Sequence, residues 1–135
     1  IHNSYQSPDS INAIDWRRKM EHADVFAYYK GLIQLRKNHP AFRLGDADLV
    51  RRHLEFLPLE GSNVVAYHLK ENAGGDAWGD IYVILNSRKE IAKVPVPEGR
   101  YTVVCKDGFI SEQGLGTIYG PEVFVPAQSA LIFYK

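Results

Sequence analysis

A polar stretch near the start of the chain is rich in hydrogen-bonding side chains. Residues 3–16, NSYQSPDSINAIDW, contain two asparagines, two aspartates and three serines, without a periodic apolar face. Amides and carboxylates form paired hydrogen bonds to neighbouring hydroxyl groups, and a tyrosine ring offers a stacking surface. We therefore predict an irregular surface loop that is suited to binding a neutral, hydroxyl-bearing ligand. Its candidate binding residues are Asn3, Tyr5, Asp9 and Asn12.

The same loop has a purely structural interpretation, which the sequence leaves open. SPDS is also a turn sequence, in which the proline fixes φ and Asp9 can bond backbone donors. Asp15 suits a helix cap or an ion pair with Arg17 or Arg18. Asp9 and Asp15 lie six residues apart in one loop, and we do not assign them as a catalytic pair.

Composition argues against several classes of function. Sixteen basic and sixteen acidic residues cancel in a chain of 135, which removes the electrostatic footprint of nucleic-acid binding or of a polybasic membrane anchor. No apolar run reaches the roughly 20 residues of a membrane span. The single cysteine, Cys105, lies in the apolar run YTVVC, so we expect a buried, inert thiol. The five histidines are scattered without ligand spacing, so we predict no metal site and no cofactor.

One amphipathic helix is predicted between residues 21 and 38. Its apolar residues recur at three- and four-residue steps, and Pro40 follows its end. Asp24 or Asp15 would cap its start. The predicted apolar stripe comprises Val25, Phe26, Tyr29, Leu32 and Ile33.

After Pro40 the pattern changes to short β-type runs separated by turn residues about every ten positions. This spacing predicts a mainly β fold, an antiparallel β-sandwich of about seven strands. The predicted strands are 53–58, 63–70, 80–86, 91–96, 100–106, 122–127 and 129–135. Trp78, in the turn sequence GGDAWGD, suits either an exposed sugar-stacking platform or a ring folded over the sandwich, and we favour the second.

Two groups of motifs resemble type I pullulanases, which are glycoside hydrolases of the α-amylase family that cleave α-1,6 branch bonds. NSYQSPDSINAIDW followed by DVFAYYKGLIQLRKNHPAFR is similar to the stretch after the eighth barrel strand in that family. NVVAYHL, IYVILN, VPVPEGRYTVV and VFVPAQSALIFY resemble the strands of its C-terminal β-sandwich, often called domain C. The resemblance covers essentially the whole chain.

This resemblance implies two domains and a division of labour. Residues 1–43 would be the last βα-loop and last helix of a (β/α)₈ barrel, and residues 44–135 the C-terminal sandwich. The polar loop would then reach substrate from the barrel face where such enzymes build their sites. The family's three catalytic carboxylates come from earlier barrel strands, so we assign no catalytic residue to this chain and expect it to be inactive alone. The implied partners are the remaining catalytic barrel and an α-glucan substrate.

Alternatives remain at this stage. Another debranching or branching enzyme of the α-amylase family would show many of the same motifs. A free-standing carbohydrate-binding sandwich would need a row of exposed aromatic residues, of which Trp78 and some tyrosines are the only candidates. In the isolated chain the helix would dock on the sandwich, self-associate or leave an apolar patch exposed. The sequence leaves the cellular location and the preferred branched glucan open.

Overall fold

Antiparallel sheets with helices ahead of them make up the chain. The structure, a computed structural model, describes residues 4–59, 61 and 63–135, so the predicted site residue Asn3 lies outside the described residues. The helices are α1 (Asp9–Asn12), α2 (Arg18–Glu21), α3 (Ala23–Asn38) and α4 (Ala47–His53), with 3₁₀ turns at Pro40–Arg43 and Ala73–Gly75. The strands are β1 (Leu54–Phe56), β2 (Val64–Leu69), β3 (Ile81–Asn86), β4 (Ala92–Pro95), β5 (Arg100–Lys106), β6 (Phe109–Ile110), β7 (Thr117–Tyr119), β8 (Glu122–Val125) and β9 (Ser129–Tyr134).

The strands form one large sheet and one ribbon. The large sheet has the order β1-β2-β3-β9-β5-β6, and β7 also pairs with β5. The ribbon consists of β4 and β8, and all pairings are antiparallel. All seven predicted strands are present, so the mainly β, sandwich-like fold is confirmed. The two short strands β6 and β7 were not predicted.

The ribbon covers one face of the large sheet and forms the first core with it. Burial alternates along β4 and β8, which is the pattern of strands with one wet face. Ile84 and Phe133 from the sheet are fully buried, as is Val125 from the ribbon. The ring of Phe133 packs 5.2 Å from the rings of both Tyr82 and Tyr101. These contacts make the sandwich.

Helical elements cover the opposite face of the large sheet. Leu35 of α3 and Ala41 of the following 3₁₀ turn are each 2 % exposed and pack in a second core with sheet residues such as Val83 and Cys105. Gly31 lets α3 approach closely, because a Cβ at this position would lie 3.1 Å from Ile110 Cβ. The helix therefore docks on the sheet, while the domain boundary predicted after residue 43 stays a prediction.

The predicted helix differs from the observed one at its start. His22 separates α2 from α3. It occupies the N-cap position of α3, but its side chain forms no capping hydrogen bond. Neither Asp24 nor Asp15 caps α3. Asp15 instead pairs with Arg17, with 2.6 Å between Oδ2 and Nη2, which is the other role that the sequence allowed. The predicted stop is confirmed, because α3 ends two residues before Pro40.

Two short helices were missed. Helix α1 forms one turn inside the segment predicted to be irregular. Helix α4 begins after Asp46, whose Oδ1 accepts the backbone N–H groups of Asp48 and Leu49. An aspartate in the capping position and basic residues in the last turn are the signals that could have predicted α4.

Shortening the chain from its start tests how much of it the sandwich needs. Removing residues 1–20 should change the free energy of unfolding by only about 0.5 kcal/mol, because exposed polar segments contribute little. Removing residues 1–43 should abolish cooperative folding or cost several kcal/mol, because it uncovers the second core and deletes Leu35, a loss of the kind that costs about 2–5 kcal/mol per large buried side chain. Chemical denaturation followed by circular dichroism measures both. Equal stability of the two truncated chains would contradict the packing described above.

Candidate functional site

The described part of the polar loop is closed by one of its predicted binding residues. The side-chain amide of Asn12 donates from Nδ2 to the carbonyl oxygens of Ser4, at 2.7 Å, and Ser7, at 2.9 Å. These bonds tie the one-turn helix α1 back to the start of the loop. Asn12 thus has a structural role inside the loop, and its contact with a sugar stays a prediction.

Two further candidates lie on the outer surface of this loop. Tyr5 is 87 % exposed, and Asp9 is an exposed residue in the first turn of α1. The phenol ring and the carboxylate are thus placed where an external ligand can reach them. The structure brings Tyr5, Asp9 and Asn12 into one short segment, and binding of substrate by them stays a prediction.

A groove of about 580 Å³ lies between the loop and the start of α3. Its lining is mixed: it includes the apolar Ile14 and Trp16, which are each 72 % exposed, and charged residues such as Arg18. Two of the lining residues contact each other, with Lys19 Nζ 4.3 Å from the centre of the Phe26 ring. Large apolar side chains of this kind suit packing anchors for the loop, but within the described chain Ile14 and Trp16 remain largely uncovered.

The exposed surface continues along α3. Val25, Phe26, Tyr29 and Ile33 are between 46 % and 63 % exposed, and we call these four residues the α3 stripe. Helical periodicity places them on the side of α3 away from Tyr28, Gly31 and Leu35, which meet the sandwich. Leu32, the fifth residue of the predicted stripe, is half-buried between the two sides. The predicted apolar stripe is therefore real, but it is not the face that docks.

A buried His–Asp pair fixes the end of α3 to the sandwich. His39 Nδ1 donates to Asp76 Oδ1 at 2.9 Å, and the Asp76 side chain is fully buried. Asp76 also accepts the backbone N–H of Ala41 at 3.2 Å and that of Trp78 at 3.0 Å. We call this set of contacts the His39–Asp76 junction. Because Asp76 precedes β3 and Ala41 follows α3, the junction couples the helix end to the loop before β3.

Trp78 completes this junction and is unavailable as a sugar platform. Its ring stacks on His39 at 3.5 Å and on Tyr134 at 4.1 Å between ring centres. The ring is thus folded over its own sandwich, as the sequence favoured. Near His39, the two carboxylate oxygens of Glu112 accept hydrogen bonds from Asn38 Nδ2, at 2.8 and 2.9 Å. No sequence signal indicated that His39 and Asp76 would meet.

Two groups with shifted pKa values meet where α3 touches the sheet. Tyr28 Oη lies 3.6 Å from Cys105 Sγ. Burial, and secondarily this contact, raises the pKa of Tyr28 to about 12. Burial also raises the pKa of the Cys105 thiol, which fits the predicted inert cysteine. In the loop, the hydrogen bonds from Arg17 lower the pKa of Asp15.

The described residues contain neither a candidate metal site nor a candidate membrane-spanning helix. Among them, no group of three or more histidine, cysteine or acidic side chains is arranged to hold a metal ion. Within the same residues, no helix combines the length and apolar character needed to cross a membrane.

Comparison with known proteins identifies what this fold resembles. Residues 50–108 match the family described as "Pullulanase, all-beta domain". Over 130 residues the chain is 37 % identical to the pullulanase of Bacillus subtilis (strain 168), an alignment that covers 87 % of this chain and 18 % of that protein. The chain thus spans less than a fifth of that curated relative.

Solved structures extend the similarity to nearly the whole chain. The pullulanase from Bacillus acidopullulyticus superposes with a TM-score of 0.92 at 41 % identity, covering 98 % of this chain and 16 % of that one. The type I pullulanase from Bacillus subtilis str. 168 complexed with maltose gives a TM-score of 0.87 at 37 % identity, covering 98 % and 18 %. The fold is that of a β-rich glycoside hydrolase domain. More specifically, residues 50–108 match the pullulanase all-β domain, and solved pullulanase structures superpose on nearly the whole chain.

Replacing Asp76 by alanine tests the His39–Asp76 junction. The change leaves the backbone N–H groups of Ala41 and Trp78 without their acceptor, and each buried unsatisfied donor costs about 1–3 kcal/mol. We therefore expect Asp76→Ala to lower the free energy of unfolding by several kcal/mol in urea denaturation. Glu122→Ala is the matched control, because it removes an exposed carboxylate paired with Lys93 and should cost at most about 1 kcal/mol. Similar losses in both variants would show that the junction contributes little.

Alkaline titration tests the contact of Tyr28 with the sheet. The folded-state pKa of Tyr28, about 12, lies above the ordinary unfolded value. Its neutral form is therefore favoured by folding, and the resulting stability is present below about pH 10 and lost as the pH rises toward 12. We expect the free energy of unfolding to fall less steeply over this range in Tyr28→Phe than in the unsubstituted chain. Identical slopes in the two proteins would contradict the burial of this hydroxyl.

Proposed function

We propose that this chain is the C-terminal part of a pullulanase that hydrolyses α-1,6-glucosidic branch bonds in pullulan and starch-type glucans. The observation that carries the proposal is the similarity at 41 % identity and TM-score 0.92 over 98 % of the chain. In this role residues 1–43 supply the last loop and last helix of the catalytic barrel. Residues 44–135 supply the C-terminal sandwich, and the catalytic carboxylates belong to the rest of the enzyme.

The two opposite faces of α3 support this role. One face is buried on the sandwich through Leu35 and Gly31, whereas the α3 stripe presents four large apolar side chains to solvent. Apolar surface of this kind marks an interaction site. A barrel helix needs such a face to cover the strands and neighbouring helices of its barrel. The uncovered Trp16 and Ile14 extend the same surface toward the loop.

The polar loop would supply contacts to an α-glucan near the barrel's active face. Tyr5 and Asp9 are exposed and of the types that bind sugar rings and hydroxyl groups. Asn12 would hold the loop in shape through its bonds to Ser4 and Ser7. Residue Asn3 retains its proposed binding role on sequence grounds.

A free-standing carbohydrate-binding module gains no support from the described residues. Its main candidate platform, Trp78, is stacked between His39 and Tyr134. Both curated and solved relatives reported above carry the name pullulanase, which favours that activity over other debranching or branching enzymes.

Exchange of this chain into a relative tests the proposed function. A chimera would carry this chain in place of the matching region of the Bacillus subtilis pullulanase. We expect it to release reducing sugar from pullulan, whereas the isolated chain should release none, because retaining glycoside hydrolysis requires a nucleophile and an acid that we place elsewhere. A folded chimera without activity, or activity of the isolated chain, would refute the proposal.

Substitutions in the loop of this chimera test its contact with substrate. Tyr5→Ala and Asp9→Ala should each lower kcat/KM on pullulan by about tenfold, the loss expected for about 1.4 kcal/mol of transition-state binding. The unfolding midpoint should stay unchanged. Glu21→Ala, an exposed carboxylate on α2, is the control and should keep full activity. If the loop variants lose stability while activity per folded molecule is constant, the loop is structural only.

A further inference from the structure

The two exposed candidate contacts of the polar loop, Tyr5 and Asp9, lie on different halves of it. Tyr5 belongs to a turn in which the Ser7 N–H donates to the carbonyl oxygen of Ser4 at 2.9 Å. Asp9 begins the one-turn helix α1, which follows that turn. A backbone hydrogen bond inside one half does not fix how the two halves are oriented to each other.

The side chain of Asn12 joins the two halves. Asn12 ends α1, and its Nδ2 donates to the carbonyl oxygens of Ser4 and Ser7, at 2.7 and 2.9 Å. Both acceptors belong to the half that carries Tyr5, whereas the donor belongs to the helix. Pro8 connects the halves, and its ring restricts φ there. Movement of one half against the other would therefore break both bonds of Asn12 together.

The amide of Asn12 uses both of its hydrogens in these bonds. A side-chain amide has two N–H donors on its nitrogen and one acceptor oxygen. The reverse orientation of the amide would place its oxygen against two carbonyl oxygens, so the two acceptors fix the direction in which the group points. A sugar hydroxyl would have to bond to Oδ1, because both N–H groups already have acceptors.

The loop presents Tyr5 and Asp9 outward from this tie. Tyr5 is 87 % exposed and Asp9 is exposed, whereas Ser4 and Ser7 are half-buried. The phenol ring and the carboxylate are thus accessible to a ligand, while the two carbonyl groups that accept from Asn12 belong to less accessible residues.

We infer that Asn12 is a positioning residue for the proposed hydrolysis, acting on the α-glucan through Tyr5 and Asp9. The inference rests on the proposed function, in which this loop contacts the substrate. Two contacts on linked halves bind one glucan more tightly when their separation is fixed beforehand, because ordering a loop during binding costs conformational entropy. The tie formed by Asn12 supplies this preorganisation and makes the two contacts depend on each other.

The substitution Asn12→Asp removes the tie with little change in shape. A carboxylate has no N–H to donate, and it would face the same two carbonyl oxygens. Gln6→Glu is the matched control, because it makes the same change from amide to carboxylate at an exposed position of the same loop. Both substitutions would be made in the chimera with the Bacillus subtilis pullulanase. The measured quantities are kcat and KM on pullulan and the midpoint of thermal unfolding.

We expect Asn12→Asp to raise KM by about tenfold and to change kcat by less than about twofold, because binding that is equal in the ground and transition states affects KM alone. Gln6→Glu should leave both constants unchanged, and the unfolding midpoint should be the same in all three proteins. A purely structural role would instead lower the midpoint and the fraction of active molecules, and hence kcat, at constant KM. That result, or an equal rise of KM in Gln6→Glu, would overturn the inference.

Combining substitutions tests whether Asn12 acts through the other two residues. Asn12→Asp is added to a chimera that already carries Tyr5→Ala and Asp9→Ala. In this background it should change kcat/KM by less than about twofold, because the effects of residues that act as a unit are not additive. A further loss of about tenfold would contradict the inference, since Asn12 would then bind the sugar itself through Oδ1.

The unsubstituted chimera separates this inference from the proposed function. An active chimera in which Asn12→Asp leaves KM unchanged would reject the positioning role alone. A folded chimera without activity would reject the hydrolase assignment. In that case the dissociation constant for maltotriose, measured by calorimetry, replaces KM in the same comparison, and the inference requires Asn12→Asp to raise it while Gln6→Glu does not.

Discussion

The large sheet is apolar on both faces at its centre, and the rest of the structure depends on covering both of them. On β3, Tyr82 and Ile84 point toward the ribbon, whereas Ile81 and Val83 point toward the helices, and all four are at most 3 % exposed. A sheet of this kind cannot be stable as one layer, because each uncovered face would leave large side chains in water. The ribbon of β4 and β8 covers one face. The other is covered by α3 and the following 3₁₀ turn, so the helix is a structural part of the sandwich.

The attachment of α3 decides which of its faces remains available. Close contact at Gly31, burial of Leu35 and the His39–Asp76 junction hold the helix at its middle and its end. Contacts at several levels fix the rotation of a helix about its axis, since turning it would break all of them together. The α3 stripe is consequently held away from the sandwich. A rigid helix with one face committed and one face free is a suitable connector between a sandwich and a barrel.

This arrangement gives the chain a supporting part in the proposed pullulanase. The chemistry of branch-bond hydrolysis needs two precisely placed carboxylic groups, and we assign neither to this chain. What the chain offers is a polar loop with exposed Tyr5 and Asp9, joined through short helices to a packed body. A loop carried by a rigid scaffold can present its side chains in a defined place.

The sequence by itself determined the strands, the long helix and its apolar stripe, because these depend on local periodicity and turn chemistry. It also indicated that the Trp78 ring folds over the sandwich and that the Cys105 thiol is buried. The short strands β6 and β7 and helices α1 and α4 carry too few residues for a periodic signal, although Asp46 marked the start of α4. Only the tertiary structure decided that α3 docks through Tyr28, Gly31 and Leu35 and leaves its most apolar face outside. It also decided that His39 and Asp76, 37 residues apart, form a buried pair. These features depend on contacts between distant segments. Periodicity along the chain predicts that a helix or strand has an apolar face, but it does not specify which surface packs against that face.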